Sequence, residues 1–316
     1  DDEARRIDPL GRRAVTVAEQ RNQPAVPRPA ATVMLLREGR DGVEVLAIRR
    51  HEKLAFMGGM WVFPGGSVSP ADAAAEVLAR IPPPSQSGCA RLATLQGEPI
   101  DAGACLALAV AACRETFEET GVLLASDAAG NQSSSEFVAR LQDRRRAIAL
   151  QPELFAELLR TEDLFLRVER LVYWAHWITP SVVPRRFDTR FFLAAVPSDQ
   201  DAIIDSTETV DHTWMSPAAL IAAAHADTMT VSHPTLYNLM ELDSSLQQHG
   251  SLQGLLAAQA KRSVVAILPK MVHEEHTAMV LPWDPFYRNF AGESAPEHLE
   301  YPARLRALPA RMIAKR

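Results

Sequence analysis

The chain has 316 residues, 47% of them hydrophobic and 23% charged, with a formal net charge of −6. This is the balance of a globular chain long enough to bury a sizeable core, and it argues against a protein that grips nucleic acid through a basic face. The three cysteines, Cys89, Cys105 and Cys113, are odd in number and lack CxxC spacing, so neither a disulfide framework nor a zinc site is expected and a reducing, cytoplasmic setting fits.

Residues 1–28 are charged and proline-punctuated and read as an N-terminal arm, unlike a signal peptide; without an initiator Met, a segment upstream is expected. Residues 30–36 and 43–49 have strand character, and the polar link 37–42 predicts a hairpin. Residues 61–66 form a short apolar strand ending in Pro64-Gly65-Gly66. Residues 73–100 contain Pro82-Pro83-Pro84 and Ser85-Gln86-Ser87-Gly88 with little periodicity. They are expected to be an insertion that a short linker could replace without loss of folding.

Asp101 is a suitable N-cap for a helix reaching Thr120, with Gly121 beyond its end. Leu106, Val110, Cys113 and Phe117 share one apolar face of it. Ala111 and Ala112, one turn before Glu115, are small enough to leave room there. Two helices are expected over 135–160, the second opening near Pro152, and strands at 171–178 and 189–196. A short strand surrounds Trp214, and a helix starts at Ser216-Pro217. Residues 217–260 are expected to be mostly helical, with a strand pair within 263–283. No apolar run is long enough to span a bilayer. The element order suggests α/β or α+β layers rather than a parallel βαβ series.

The segment Arg114-Glu115-Thr116-Phe117-Glu118-Glu119-Thr120-Gly121-Val122 carries the chemistry. Positions 115, 118 and 119 stand at i, i+3 and i+4, so three carboxylates share a helix face. They repel one another, and they lie near the helix C-terminus, where the macrodipole disfavours anions. Glutamates in such a place suit a hard divalent cation, Mg²⁺ or Mn²⁺, which takes oxygen ligands and bridges them to phosphates.

With Gly66 and Asp72 ahead of it, this segment resembles the Nudix hydrolase box: Gly66, Asp72, Arg114-Glu115, Glu118-Glu119, Gly121, Val122. Asp72 stands where a Glu is usual, Thr116 where an aliphatic residue is usual. Residues 73–113, 41 of them, replace the usual seven. A long loop costs only logarithmically in closure entropy. Phe63–Gly66, Trp177–Pro180 and Arg186–Phe192 look like one branch of that family, the nucleoside-diphosphate-linked-moiety-X motif 19 proteins, which are coenzyme A diphosphatases. The likeness covers about residues 30–220. A separate coenzyme A signature is matched at Leu46, Arg50, Gly59 and Phe63–Gly66, and departs at His51 and Ala55.

The resemblance implies an α/β fold, a Nudix α/β/α sandwich with a mixed sheet between helices. The domain would span 29–220 with 73–100 inserted in the box, and a mostly helical extension, 221–316, would pack on it. Glu118, Glu119 and the Gly65 carbonyl would hold the cation. Glu115 would be a further ligand or the base for the attacking water, oriented by Arg114. Glu208, or Asp205, would be an acid contributed from outside the box. Arg50, Arg186 and Arg190, with Arg185 less favoured, would meet substrate phosphate. His176, His212 and His233 read as structural, and Tyr173, Trp174 and Trp177 as a core strand. The partner would be a small nucleoside diphosphate derivative, coenzyme A or an acyl-coenzyme A first. ADP-ribose, NADH or a nucleotide sugar is an alternative, as is a silent nucleotide-sensing domain. No nucleic acid or membrane partner is expected, and homodimer assembly is left open.

Overall fold

The computed structural model describes residues 24–83, 91–204, 208–273 and 277–313. β1 (Arg28–Gly39) and β2 (Gly42–Arg50) form the expected hairpin. Alternate residues of β1 enter two different cores: Ala31, Val33 and Leu35 one, Met34 and Leu36 the other. This is the two-residue period of a strand buried on both faces. β3 (Trp61–Val62) pairs with β2, and β4 (Gly65–Ser67) folds back along the start of β1.

The chain continues through α1 (Ala75–Leu78), α2 (Ala102–Thr120), β5 (Ala125–Ser126), α3 (Ser135–Ala139), α4 (Gln142–Leu150), α5 (Leu154–Thr161) and β6 (Phe165–Leu166). Then come β7 (Val172–Ile178), β8 (Phe187–Ala195), β9 (Thr209–Met215), α6 (Pro217–His225), α7 (His233–His249) and α8 (Leu252–Gln259). β10 (Ala266–Ile267), β11 (Lys270–His273), β12 (Thr277–Val280), α9 (Ala303–Arg306) and β13 (Arg311–Ile313) complete it. Three helices occupy the stretch where two were expected, with Pro152 in the break between α4 and α5.

The main sheet runs β10-β7-β8-β1-β2-β3, with β4 also on β1 and β9 also on β2. The β1–β8 and β10–β7 pairs are parallel and the others antiparallel. Helix α2 covers one face together with α4 and α5. Residues of α7 and α8, among them Leu239, Leu242, Leu252 and Leu255, cover the other, against Met34, Trp174 and Leu193. The layers are therefore the α/β/α sandwich that was expected.

Within the segment 73–100, expected to be an insertion that a short linker could replace, Val77, Ile81 and Leu92 are buried in the α2 core. The Arg80 carbonyl accepts from Leu166 N–H at 2.8 Å. Of the motifs read there, Pro84 and Ser85–Gly88 lie outside the described residues, as does Cys89. The tail beyond 220 carries the expected helices, α7 and α8 foremost. It supplies the second helical layer and adds β10 to the sheet, and then β11, β12 and β13 form a sheet of their own. Among the described residues no helix is long and apolar enough to cross a membrane. Cys105 and Cys113 are buried.

Candidate active site

Helix α2 begins as expected, with the Asp101 carboxylate accepting from Ala104 N–H at 2.8 Å. It ends at Gly121, whose φ of 72° is left-handed and favours glycine. Its apolar residues are buried nearly all round, and Ala111 and Ala112 pack in the core instead of opening space beside the acids. The acids are not a solvated face: Glu119 is 9% exposed, and Glu115 and Glu118 are half-buried. Arg145 on α4 donates from Nε to the Glu118 carbonyl at 2.9 Å. That places a cation at the negative end of the helix and offsets part of the dipole penalty.

Arg114 is the hub. Its Nε and Nη2 donate to the two carboxylate oxygens of Asp72 at 2.7 and 2.9 Å, and Nη2 also reaches the Ser67 carbonyl at 3.1 Å. Its Nη1 donates to Oε1 of Glu115 and to Oε1 of Glu118, each at 2.9 Å. Burial opposes the guanidinium charge, but Asp72, Glu115 and Glu118 hold it protonated more firmly than an ordinary arginine. Asp72 had been given no role. It is buried because it closes a capping box with Ser69, and the Ser69-x-x-Asp72 spacing is the sequence signal for that.

The glycines bring the strand end to the helix. Gly65 N–H donates to Glu119 Oε2 at 2.8 Å. A Cβ on Gly65 would meet the Ala31 carbonyl oxygen at 2.4 Å, and one on Gly66 would meet the Glu115 carboxylate at 2.5 Å. Arg50, at a register shift between β2 and β9, places Nη1 3.5 Å from Glu119 Oε1. Its Nε is buried without a hydrogen-bond partner among the described residues. Glu208 is held just before β9 by its carbonyl, which accepts from His51 N–H at 2.8 Å, and it lines the same cleft. Asp205 lies outside the described residues.

Burial, opposed by Arg114 and reinforced by Glu118, pushes the Glu115 carboxyl up to about 7. Burial, with Glu115 adding to it, pushes Glu119 to about 8. Glu118 is raised as well, by burial first, against the pull of Arg114. These are hard oxygen donors with excess negative charge and little water to stabilise it, which suits a divalent cation. In this arrangement Glu115 and Glu118 lean on Arg114. Among the described residues no three acidic, histidine or cysteine side chains are grouped closely enough to hold a metal. The donor set fits a cation only by the chemistry of its oxygens, with Oε2 of Glu115 and of Glu118 outside the Arg114 bonds.

The acids sit at one side of a cleft of about 1350 Å³. That exceeds the usual few hundred to about 1,000 Å³ of small-ligand pockets. The structure does not bring Arg186 and Arg190 into it. Arg186 is buried and spends its donors on the carbonyls of Thr179 and Ala25 and on Glu293. Arg190 is buried against Asp188 and the Ala93 carbonyl. Arg185, the less favoured neighbour, lies at the cleft rim, its guanidinium 5.2 Å from the Phe187 ring centre and 5.9 Å from that of Phe56. His176 is buried in a pair with Asp188, in keeping with a structural role.

The sequence pattern of the NUDT19 Nudix domain family matches residues 13–242. Curated relatives include the acyl-coenzyme A diphosphatase NUDT19 of Gallus gallus, 29% identical over 231 residues, 63% of this chain and 61% of that protein. Those of Homo sapiens (27% over 228 residues, 64% and 61%) and Xenopus laevis (24% over 225 residues, 63% and 59%) are similar too. The chain thus spans about three fifths of the length of these relatives. A solved Nudix hydrolase from Alicyclobacillus acidocaldarius superposes with a TM-score of 0.58 at 26% identity, covering 70% of this chain and 92% of that one. The family match takes in the strand end at Gly65-Gly66, helix α2 and the sheet between them, and the chain belongs to the Nudix hydrolases, in the NUDT19 branch.

Proposed function

We propose that this protein hydrolyses the diphosphate linkage of coenzyme A or an acyl-coenzyme A, giving the phosphopantetheine half and 3′,5′-adenosine bisphosphate. The observation that carries the reading is the meeting of Glu115, Glu118, Glu119, Arg50 and Gly65 at one side of a cleft of about 1350 Å³. The names of the curated relatives support the coenzyme A part of it.

Glu118, Glu119 and the Gly65 carbonyl would hold Mg²⁺ or Mn²⁺, with Glu208 beside them. When bound, the cation neutralises phosphate oxygens and makes water more acidic. Glu115, oriented by Arg114, would accept a proton from the attacking water. The water oxygen bonds to phosphorus, the bridging P–O bond breaks, and the leaving phosphate keeps that electron pair. Arg50 offers its unpartnered Nε–H to a phosphate oxygen. Arg185, over Phe56 and Phe187, would meet the 3′-phosphate, in place of Arg186 and Arg190. The substrate is the proposed partner, in a cytoplasmic setting.

A hydrolysis panel of coenzyme A, octanoyl-coenzyme A, ADP-ribose, NADH and a nucleotide sugar, with and without Mg²⁺, tests this. Coenzyme A compounds should be cleaved with the highest kcat/KM and only with the cation. Faster cleavage of ADP-ribose or NADH would replace the substrate assignment, and no cleavage of any would favour a sensing role.

A further inference from the structure

The two carboxylate oxygens of Glu119 have different partners. Oε2 accepts from Gly65 N–H at 2.8 Å, which leaves Oε1 to a cation. Oε1 is the oxygen that Arg50 faces, with Nη1 3.5 Å away. Arg114 is not available to it, because Nε, Nη1 and Nη2 are spent on Asp72, Ser67, Glu115 and Glu118. Among the described residues, Arg50 is therefore the side-chain cation paired with Glu119. The Glu119 side chain is only 9% exposed, and a carboxylate so poorly hydrated needs such a partner.

The Arg50 side of this pair is loosely held. At 3.5 Å it is an ion pair longer than a hydrogen bond. The Arg50 Nε is buried with no hydrogen-bond partner among the described residues, an incomplete arrangement for a group with five N–H donors. The backbone of Arg50, by contrast, is pinned. Its N–H donates to the Met60 carbonyl at 3.0 Å, and its carbonyl accepts from Gly59 N–H at 3.1 Å. A fixed backbone and an unsatisfied guanidinium on the cleft wall leave the side chain as the part that can change partner. An oxyanion in the cleft would supply the missing acceptor.

Two cations at one carboxylate oxygen repel each other. We infer that Arg50 is an exchangeable counter-ion: it neutralises Glu119 in the cation-free protein, yields Oε1 to a divalent cation, and turns to a phosphate oxygen of the substrate. This rests on the cation and diphosphate reading above. The consequence is a coupling between ligands. Arg50 opposes a cation that arrives alone and is satisfied when an oxyanion comes with it, so cation and oxyanion favour each other. Arg50 acts on the cation through charge and on the oxyanion by contact.

The test is Mn²⁺ binding to the metal-free full chain, read by electron paramagnetic resonance with and without inorganic phosphate. Hydrolysis of coenzyme A in Mg²⁺ is measured beside it. Arg50→Gln removes the charge and should bind Mn²⁺ at least about fivefold tighter than the parent, the effect of one charge a few ångströms away. A residue that merely supported the fold would weaken binding instead. Arg50→Lys keeps the charge and should stay within about twofold of the parent. Phosphate should tighten Mn²⁺ binding to the parent at least about fivefold more than to Arg50→Gln. If Arg50→Gln does not fold, Arg50→Met takes its place with the same expectations. No tightening in Arg50→Gln, equal tightening in Arg50→Lys, or an equal phosphate effect in parent and Arg50→Gln would each overturn the exchange. If Glu119→Gln weakens Mn²⁺ binding while Arg50→Gln does not tighten it, the cation assignment stands and the exchange falls. Absence of Mn²⁺ binding by both the parent and Arg50→Gln would remove both. If the Mn²⁺ affinities fall as expected but coenzyme A is not cleaved, the proposed activity fails and the exchange stands.

Discussion

Arg114 grips Asp72 through two parallel hydrogen bonds, 2.7 Å from Nε and 2.9 Å from Nη2, with both side chains buried. The same guanidinium holds Glu115 and Glu118, so the position of the acids on α2 depends on a carboxylate from the far side of the inserted segment. Asp72→Ala would leave a buried cation short of its partner, a loss of about 3–5 kcal/mol. Thermal unfolding should show it, and kcat should fall with it. Unchanged melting and turnover would show that Ser67 and the two glutamates hold Arg114 without Asp72.

The raised carboxyls give the cation-free protein an unusual pH dependence. Glu115 and Glu119, at about 7 and about 8, stay protonated in the folded chain above the pH at which they ionise in the unfolded one. Their contribution to stability is therefore greatest below the ordinary carboxylate range and is lost as pH rises through about 7 and 8. In EDTA, Glu119→Gln should raise Tm relative to the parent at pH 8 and change it little at pH 5. Mg²⁺ should stabilise the parent more at pH 8 than at pH 5. A parent-to-variant difference that is the same at both pH values would contradict the burial argument.

Glu115→Gln separates base from ligand. As the base, its loss should lower kcat by about 10²–10⁴-fold with a smaller change in cation affinity. Gly66→Ala should mimic it in a folded protein, since the added methyl would arrive 2.5 Å from the Glu115 carboxylate. Recovery of Glu115→Gln at high Mg²⁺ would make Glu115 mainly a ligand.

Ile81 tests the inserted segment. It is 2% exposed in the α2 core, so Ile81→Ala should cost about 2–5 kcal/mol, read as a lower denaturant midpoint. Replacing 73–100 by a short linker should abolish the cooperative transition. A stable linker variant would mean that the core closes without Val77, Ile81 and Leu92.

Arg185→Ala should reduce the preference for coenzyme A over 3′-dephospho-coenzyme A by about 10- to 100-fold, the worth of a charge-assisted contact of roughly 1.5–3 kcal/mol. Arg186→Ala should lower Tm and leave that preference alone, because Arg186 holds Thr179, Ala25 and Glu293. The reverse pattern would return the substrate role to Arg186.

What could be read in the sequence was local. The caps Asp101 and Gly121 fixed the ends of α2, and the i, i+3, i+4 spacing fixed the face of Glu115, Glu118 and Glu119. What could not be read was set by distant partners. Arg185, Arg186 and Arg190 are alike as residue types, and only the fold puts the last two among carbonyls and acids of their own chain. Val77 and Ile81 are four residues apart, but the helix there is only Ala75–Leu78 and Leu92 lies well beyond it, so no sustained period announced their burial. β10 is two residues long, too short to show alternation.

β10 also settles what happens at the border of the sheet. Ala266 and Ile267 lie along β7 at His176 and Trp177, covering a strand whose free N–H and C=O groups would otherwise be a template for another chain. The family match stops at residue 242, short of that cover and of Leu252 and Leu255, which shield Trp174 and Leu193. A fragment cut at the match would keep every box acid and present an open strand edge beside bare apolar surface. Such a fragment is expected to self-associate, which light scattering would show.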